Sequence, residues 1–353
     1  MRTPTIAIAT NNGDIGGGEV MLLNIAEALR RLGLDVLVLA PSSPAELIER
    51  AHEQGFRTVA LRAKDRGGYI AALWRWRLRN RGLPLWCNGL VPSLATTGIG
   101  PRIVHLHRLP VGAHAALERL ARNRSSVVLV PSGFVADRLH GTTIFENWTE
   151  QIRYRGAMSD RRGPVRIGIL GRLTAEKGAV LLAEAASSLM QRTGRDVRLV
   201  LAGENRFGND SDRSALESSL APIRDRVEQL GWVDREDFFE AVDLAVFPSV
   251  VEESFGLVAA EAMAAGIPFV ISESGALPEV AGVDHPWIAR RGDSDDLAHV
   301  IEQALADIER GDHERSAAAR ARWERRYSPA AGMERVAGLL SDLGATSRER
   351  GSP

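Results

Sequence analysis

The feature that most restricts the fold of this chain is the alternation of short apolar runs with amphipathic stretches, broken once by a polar, arginine-rich segment. Each run is strand-length and bounded by glycine, proline or charge, and each amphipathic stretch repeats with a helical period. That combination specifies parallel strands flanked by helices. Residues 5–10 read as a strand, 11–18 as a glycine-rich turn and 19–32 as a helix with its apolar stripe on Val20, Leu23 and Ala26 and with Leu22 and Leu29 beside it. Gly33 then caps the helix, and 35–40 form a strand that stops at Pro41. Strands follow near 58–61, 85–87, 103–107, 127–130 and 143–145. Beyond the arginine-rich segment the series restarts at 165–170 and continues through 197–202, 244–247 and 268–271.

With 353 residues the chain exceeds one ordinary core, so each series is expected to be its own domain. The fold class expected is α/β, with two Rossmann-like doubly wound domains facing a central cleft. The expected boundaries are 1–148 for the N-terminal domain, 149–164 for a linker and hinge, and 165–325 for the C-terminal domain. Residues 344–353 are polar and expected to fray. Ligands of open parallel sheets bind outside the carboxyl ends of the strands, which directs the search to the loops there.

Composition excludes several function classes. A net charge of −1 gives no overall attraction for nucleic acid. Cys87 is the lone cysteine, so neither an intrachain disulfide nor a cysteine metal cluster can form. No run of 18 apolar residues occurs, and the N-terminus lacks a signal-peptide pattern, so a cytoplasmic location is the expectation. Arginine supplies nearly all the positive charge: Lys64 and Lys177 are the only lysines.

Two segments carry chemistry. The first runs from Glu253 through Ser-Phe-Gly-Leu-Val-Ala-Ala to Glu261 and closes on Gly266 and Pro268. Its alanine-rich part is a good helix former. A helix starting near Ser254 or Gly256 offers free N–H groups and a positive dipole end to a phosphate or a sugar hydroxyl. Eight helical steps span roughly 12 Å, enough for Glu253 and Glu261 to hold opposite ends of one extended ligand. Glutamates eight apart also fit a plain loop and a solvent-facing helix position. The second segment is Gly171-Arg172-Leu-Thr-Ala-Glu-Lys177-Gly178, which directly follows a strand. It brings a bidentate guanidinium and a compact ammonium out of one turn, where an anion would bind. A solvated basic turn is the competing reading.

Together with Leu201-Ala-Gly203, Phe247-Pro-Ser249 and Ser274-Gly-Ala-Leu-Pro-Glu279, these segments resemble the retaining nucleotide-sugar glycosyltransferases of family four, which have the GT-B fold. The resemblance implies transfer of a sugar from a UDP- or GDP-type donor to an acceptor hydroxyl, with retention and without a cofactor. It implies that Gly171, Arg172 and Lys177 bind the donor diphosphate. Glu253 and the backbone of Phe255, Gly256 and Leu257 would hold the transferred sugar, Glu261 the ribose, and the region of Trp232 and Val233 the base. Gly16, Gly17 and Gly18 resemble the family's glycine-rich loop, and a histidine near the reacting sugar corresponds to His107 or His105, with His107 preferred as nearer the strand edge. Residues 326–343 would form a helix crossing back to the first domain. The chain departs from the family in having Phe-Glu-Asn-Trp at 145–148. The acceptor could be a sugar, a lipid-linked sugar or a natural-product alcohol. A nucleotide-sugar epimerase of this fold and a catalytically silent binding module are the alternatives.

Other signals fail or stay subordinate. Gly13 and Gly16 to Gly18 do not spell the dinucleotide fingerprint, and no acidic residue ends the next strand. Asp293, Asp295 and Asp296 precede a helix and read as cap and dipole partners, so no metal site is expected. Residues 69–81 alternate tryptophan with arginine. They read as a surface helix packing Ile70, Leu73 and Trp74 inward, or as a peripheral contact with the inner face of a membrane.

Overall fold

Among the described residues every strand pairing is parallel, and the strands form two separate sheets. The computed structural model describes residues 4–110, 112, 114–153, 163–204, 210–311 and 314–349. It divides into two units, one of 1–148 with 329–353 and one of 149–328.

In the N-terminal unit the chain order is β1 (Thr5–Ala9), α1 (Gly17–Arg31), β2 (Asp35–Pro41), α2 (Glu46–Glu53), β3 (Arg57–Leu61), α3 (Arg66–Arg79) and β4 (Leu85–Asn88). It continues with α4 (Leu90–Ala95), β5 (Arg102–His105), α5 (His114–Arg122), β6 (Val127–Val130), α6 (Gly133–Arg138) and β7 (Thr143–Ile144). The spatial order is β3-β2-β1-β4-β5-β6-β7, so the chain winds outward from β1, returns past it and continues the other way. Alternate strand residues face opposite sides: Ile6 and Ile8 pack with α1 and α2, while Ala7 and Ala9 pack with α3.

The C-terminal unit repeats the plan with β8 (Val165–Leu170), α7 (Ala179–Thr193), β9 (Val197–Ala202), α8 (Asp210–Leu220), β10 (Val227–Gly231), α9 (Arg235–Ala241) and β11 (Leu244–Phe247). Then come α10 (Leu257–Ala265), β12 (Phe269–Ser272), α11 (Leu277–Ala281), β13 (Ile288–Ala289), α12 (Ser294–Glu309) and α13 (Glu314–Arg326). Its sheet runs β10-β9-β8-β11-β12-β13. The polar strand β10 and the two-residue β13 lie at its edges and were not expected from the apolar pattern.

The last helix, α14 (Pro329–Glu349), belongs to the N-terminal unit and packs on α1 through Val336 and Leu339. Gly332 lets it approach Trp148, because a Cβ there would collide with the indole. Asn24 Nδ2 also donates to the Trp148 carbonyl at 3.0 Å, so Trp148 is fixed within its own unit. The next residue is already held by the other unit. Thr149 N donates to Tyr327 O at 3.0 Å, and Trp323 Nε1 donates to Thr149 Oγ1 at 2.8 Å. Of the expected 149–164 linker, 154–162 lie outside the described residues. The helix continues to Glu349 through most of the stretch expected to fray, and 350–353 also lie outside them.

Three local expectations are corrected. Helix α1 starts at Gly17 rather than at residue 19, because the Glu19 carboxylate accepts from Gly16 N at 3.3 Å and closes the first turn. Of the expected stripe Leu23 and Ala26 are buried, as are Leu22 and Leu29 beside it, and only Val20 is half-buried; Met21 and Ile25 are fully buried as well, since α1 is covered by both the sheet and α14. Strand β5 stops at His105, two residues before the expected end. In α3, Tyr69, Leu73 and Arg77 form the buried stripe and Trp74 points outward, 46% exposed. Arg77 is buried because its guanidinium donates to the carbonyls of Ile99 (2.8 Å), Asn80 (3.1 Å), Pro101 (2.9 Å) and Leu83, pinning the turns either side of β4. Arg77→Met leaves these carbonyls without that donor and is expected to cost about 3 kcal/mol or more. Scanning calorimetry checks this, and an unchanged thermal midpoint would contradict it.

Candidate active site

Both sheets reverse their strand order at one point, between β1 and β4 in the first and between β8 and β11 in the second. A crevice opens there between loops that leave in opposite directions, the usual binding place on such sheets. The chemistry-bearing residues lie at these points. Residues 171–178 follow β8 and 248–256 follow β11, while Gly16 to Gly18 follow β1 and Asn88 ends β4.

In the C-terminal unit the loops are locked together by backbone approaches that only glycine permits. Gly178 sits in the left-handed region (φ 79°), and a Cβ there would overlap the Pro248 carbonyl. Gly203 (φ 122°) is pressed in the same way against the Gly171 carbonyl, and Gly275 (φ 59°) against Glu253. Hydrogen bonds complete the lock: Val250 N donates to Glu176 O at 2.9 Å, Ala276 N donates to Glu253 O at 2.8 Å, and Ser274 Oγ donates to Val251 O. The result is one rigid floor made from four sequence-distant turns.

Glu253 projects from this floor and is doubly bound. Lys177 Nζ lies 2.5 Å from its Oε1, and Ser249 Oγ donates to the same oxygen at 2.5 Å. Arg172 is half-buried in the same loop as Lys177; its carbonyl accepts from Thr174 N at 2.9 Å, and its guanidinium makes no hydrogen bond or ion pair with the described residues. Helix α10 begins after Gly256, which is left-handed (φ 94°); Ala259 N donates back to Gly256 O at 3.0 Å, while the N–H groups of Leu257 and Val258 have no carbonyl within the helix to bond. The Phe255 ring is buried against Tyr327 (centroids 5.5 Å apart), leaving only its backbone to face a ligand. Glu261, 3% exposed, pairs with Arg235 of α9. Burial raises its pKa, and the Arg235 charge pulls it part of the way back. Val233 is half-buried next to α9, and Trp232 is 63% exposed.

In the N-terminal unit Glu19 is buried at the start of α1 and accepts from Thr10 Oγ1 (3.0 Å) and Asn12 Nδ2 (2.9 Å). Burial raises its pKa, and these hydrogen bonds oppose the rise. Asn88 Nδ2 donates to Gly18 O at 3.0 Å, and its Oδ1 lies 2.7 Å from His107 Nε2. That contact makes Nε2 the protonated ring nitrogen and leaves Nδ1 buried without a partner. His107 also lies against Gly18, where a Cβ would come within 3.5 Å of the ring. His105 is instead fully buried, with both nitrogens unpartnered, among Trp86, Phe145 and His107.

Asp293 caps α12, accepting from Asp296 N at 2.9 Å, and Arg290 pairs with Asp293 and Asp296. Among the described residues no group of three or more His, Cys, Asp or Glu is placed to hold a metal ion.

A family model described as glycosyl transferases group 1 matches residues 164–307, and one described as glycosyltransferase family 4 matches residues 15–147. The chain has the architecture of the GT-B fold, and each half is similar to a glycosyltransferase family. An uncharacterised glycosyltransferase of Methanocaldococcus jannaschii is 32% identical over 168 residues, covering 46% of this chain and 41% of that protein. The lipopolysaccharide 1,2-N-acetylglucosaminetransferase of Salmonella typhimurium is 28% identical over 199 residues, covering 53% and 49%. The chain thus spans less than half the length of these two relatives. Among solved structures, Anabaena HepE in complex with UDP-glucose superposes with a TM-score of 0.80 at 21% identity, covering 96% of this chain and 99% of that one.

Both locked loops of the C-terminal unit fall inside the group 1 match. Four polar side chains of these sites had no assigned part in the sequence reading. Ser249 was visible as a motif but without a role. Glu19 closes the glycine motif, Asn88 is marked only by its place at a strand end, and Arg235 carries no sequence signal at all.

His107 makes a pH prediction. In the unfolded chain His107 takes a proton near pH 6.5, whereas burial, aided by Arg108, lowers its folded pKa to about 4. Between those values the unfolded state binds more protons, so the contribution of His107 to stability is full above about 6.5 and is lost as pH falls towards 4. His107→Asn is expected to flatten the acid side of the stability curve by about one proton. It will not abolish the slope, because burial lowers the pKa of His105 and His285 in the same direction. Parallel curves for parent and variant in chemical denaturation would contradict the assignment.

Proposed function

We propose that this protein transfers a sugar from a nucleoside-diphosphate sugar of UDP or GDP type to an acceptor hydroxyl, with retention of anomeric configuration. The observation that carries the proposal is the cluster of Lys177, Arg172, Ser249 and Glu253 beside the N-terminus of α10, at the switch point of the C-terminal sheet. HepE, whose fold the chain shares, was solved with UDP-glucose, which makes that donor the first to test.

In this reading Arg172 and Lys177 meet the diphosphate and stabilise the negative charge that builds on it as the sugar leaves. Glu253 holds the sugar hydroxyls, with Ser249 fixing its carboxylate and the first-turn N–H groups of α10 adding donors. Glu261 takes the ribose hydroxyls, and Val233 lies towards the base. No side chain is assigned as a covalent nucleophile. The acceptor hydroxyl attacks the carbon from the face the diphosphate leaves, and its proton passes to the departing oxygen. Retention follows from the family resemblance and is read directly from the anomeric coupling constant of the product.

Lys177→Ala and Arg172→Ala each remove a charge-assisted bond of about 1.5–3 kcal/mol, so turnover is expected to fall roughly 10- to 150-fold with the fold retained. The measurement is nucleoside diphosphate released from the donor across a panel of sugar, lipid-linked sugar and alcohol acceptors. Acceptor-dependent release supports transfer. Donor binding without release would indicate a silent module, and inversion at a ring carbon of the free donor would indicate an epimerase. The glutamates separate in calorimetry: Glu261→Gln is expected to weaken binding of the free nucleoside diphosphate. Glu253→Gln is expected to weaken the intact donor while leaving the diphosphate unchanged or tighter, since Lys177 is released. Equal losses for both ligands in both variants would contradict this division.

A further inference from the structure

Residues 62–124 contain twelve basic and two acidic residues, an excess of ten positive charges in a chain whose net charge is −1. Structural needs account for only part of it. Arg77 and Arg102 are buried on backbone carbonyls, and Arg122 pairs with the buried Glu118. The nine other basic side chains are exposed, and none forms an ion pair among the described residues. The one exposed acid of the segment, Asp65, is engaged as the cap of α3.

The same segment exposes large apolar side chains. Trp74 on α3 is 46% exposed, and Leu117 and Leu120 on α5 are 41% and 53% exposed. Both helices belong to one layer, because α4 packs against each of them. Their apolar groups are interleaved with charge: Arg75 and Arg79 stand one position and just over one turn along from Trp74, and Arg119 stands between the leucines. Hydration of isolated leucines and a tryptophan gains nothing for a monomer, and a plain solubilising face would mix both signs of charge.

We propose that the α3–α4–α5 layer of the N-terminal unit docks on an anionic membrane surface. Guanidinium groups bind lipid phosphates bidentately. Tryptophan is favoured at the headgroup level, where its ring is buried and its N–H is hydrated. Leu117 and Leu120 enter the acyl boundary, as the apolar face of an interfacial helix does. Nucleic acid matches the charge but offers nothing to the leucines, so the membrane explains both halves of the surface. The inference stands independently of sugar transfer.

The test is flotation of the full chain with vesicles of phosphatidylcholine alone and of phosphatidylcholine with phosphatidylglycerol. The protein is expected to float with the anionic vesicles only and to be released by salt. The Arg75→Glu, Arg79→Glu pair is expected to lower partitioning at least about 25-fold, from about fivefold per basic residue near such a surface. The Trp74→Ser, Leu117→Ser, Leu120→Ser variant is expected to lower it at least tenfold at constant charge, with an unchanged thermal midpoint. Equal binding to neutral vesicles, no binding at low salt, or parental binding by both variants would overturn the proposal. So would a self-association or a nucleic-acid affinity that the variants abolish while vesicles bind nothing.

Discussion

Everything in the C-terminal site depends on backbones meeting where no side chain fits. Gly178 against Pro248, Gly203 against Gly171 and Gly275 against Glu253 are three contacts in which a single methyl group would force the loops apart. All three glycines have positive φ, so the constraint is conformational as well as steric. The loops therefore hold their positions without help from a bound ligand. The functional side chains inherit that rigidity: Lys177 leaves the turn one residue before Gly178, and Glu253 leaves the segment that Gly275 presses upon.

On this floor two carboxylates carry internal cations. Glu253 is held by Lys177, and Glu261 by Arg235. A part-buried carboxylate needs a counter-charge, and burial raises the pKa of Glu261 even with Arg235 present. In the proposed reaction the donor enters by exchanging these pairs for its own groups. The diphosphate draws Lys177, and the sugar and ribose hydroxyls take over the freed oxygens. Binding adds the negative charge of the diphosphate to the site, where Lys177 and Arg172 meet it, while hydroxyl hydrogen bonds satisfy the carboxylate oxygens that Lys177 releases.

The strand–helix alternation made both sheets legible, because parallel strands buried on two faces must be continuously apolar. Strand β10 escaped since Val-Glu-Gln-Leu-Gly sits at an edge and has no such requirement, and β13 is too short to leave a pattern. The donor motifs were legible as ordered short segments, and the structure adds why their glycines are spaced as they are. Charge was the least legible property. Arg77 reads as a surface residue on a basic helix, yet its partners are carbonyls that become neighbours only after folding. Arg235 meets Glu261 across 26 residues of chain, and no local pattern announces the pair. His105 and His107 were indistinguishable by alternation and are separated by where β5 stops.

The central claim is that the loop bearing Arg172 and Lys177 recognises a diphosphate. The most direct measurement is the thermal midpoint of the full chain with UDP and GDP, each beside its own nucleoside. A ligand at 100 times its dissociation constant adds about 2.7 kcal/mol of stability. The account predicts a clear rise with at least one diphosphate and little or none with the matching nucleoside at the same concentration. Equal rises for nucleoside and diphosphate, or no rise with either diphosphate, would contradict it.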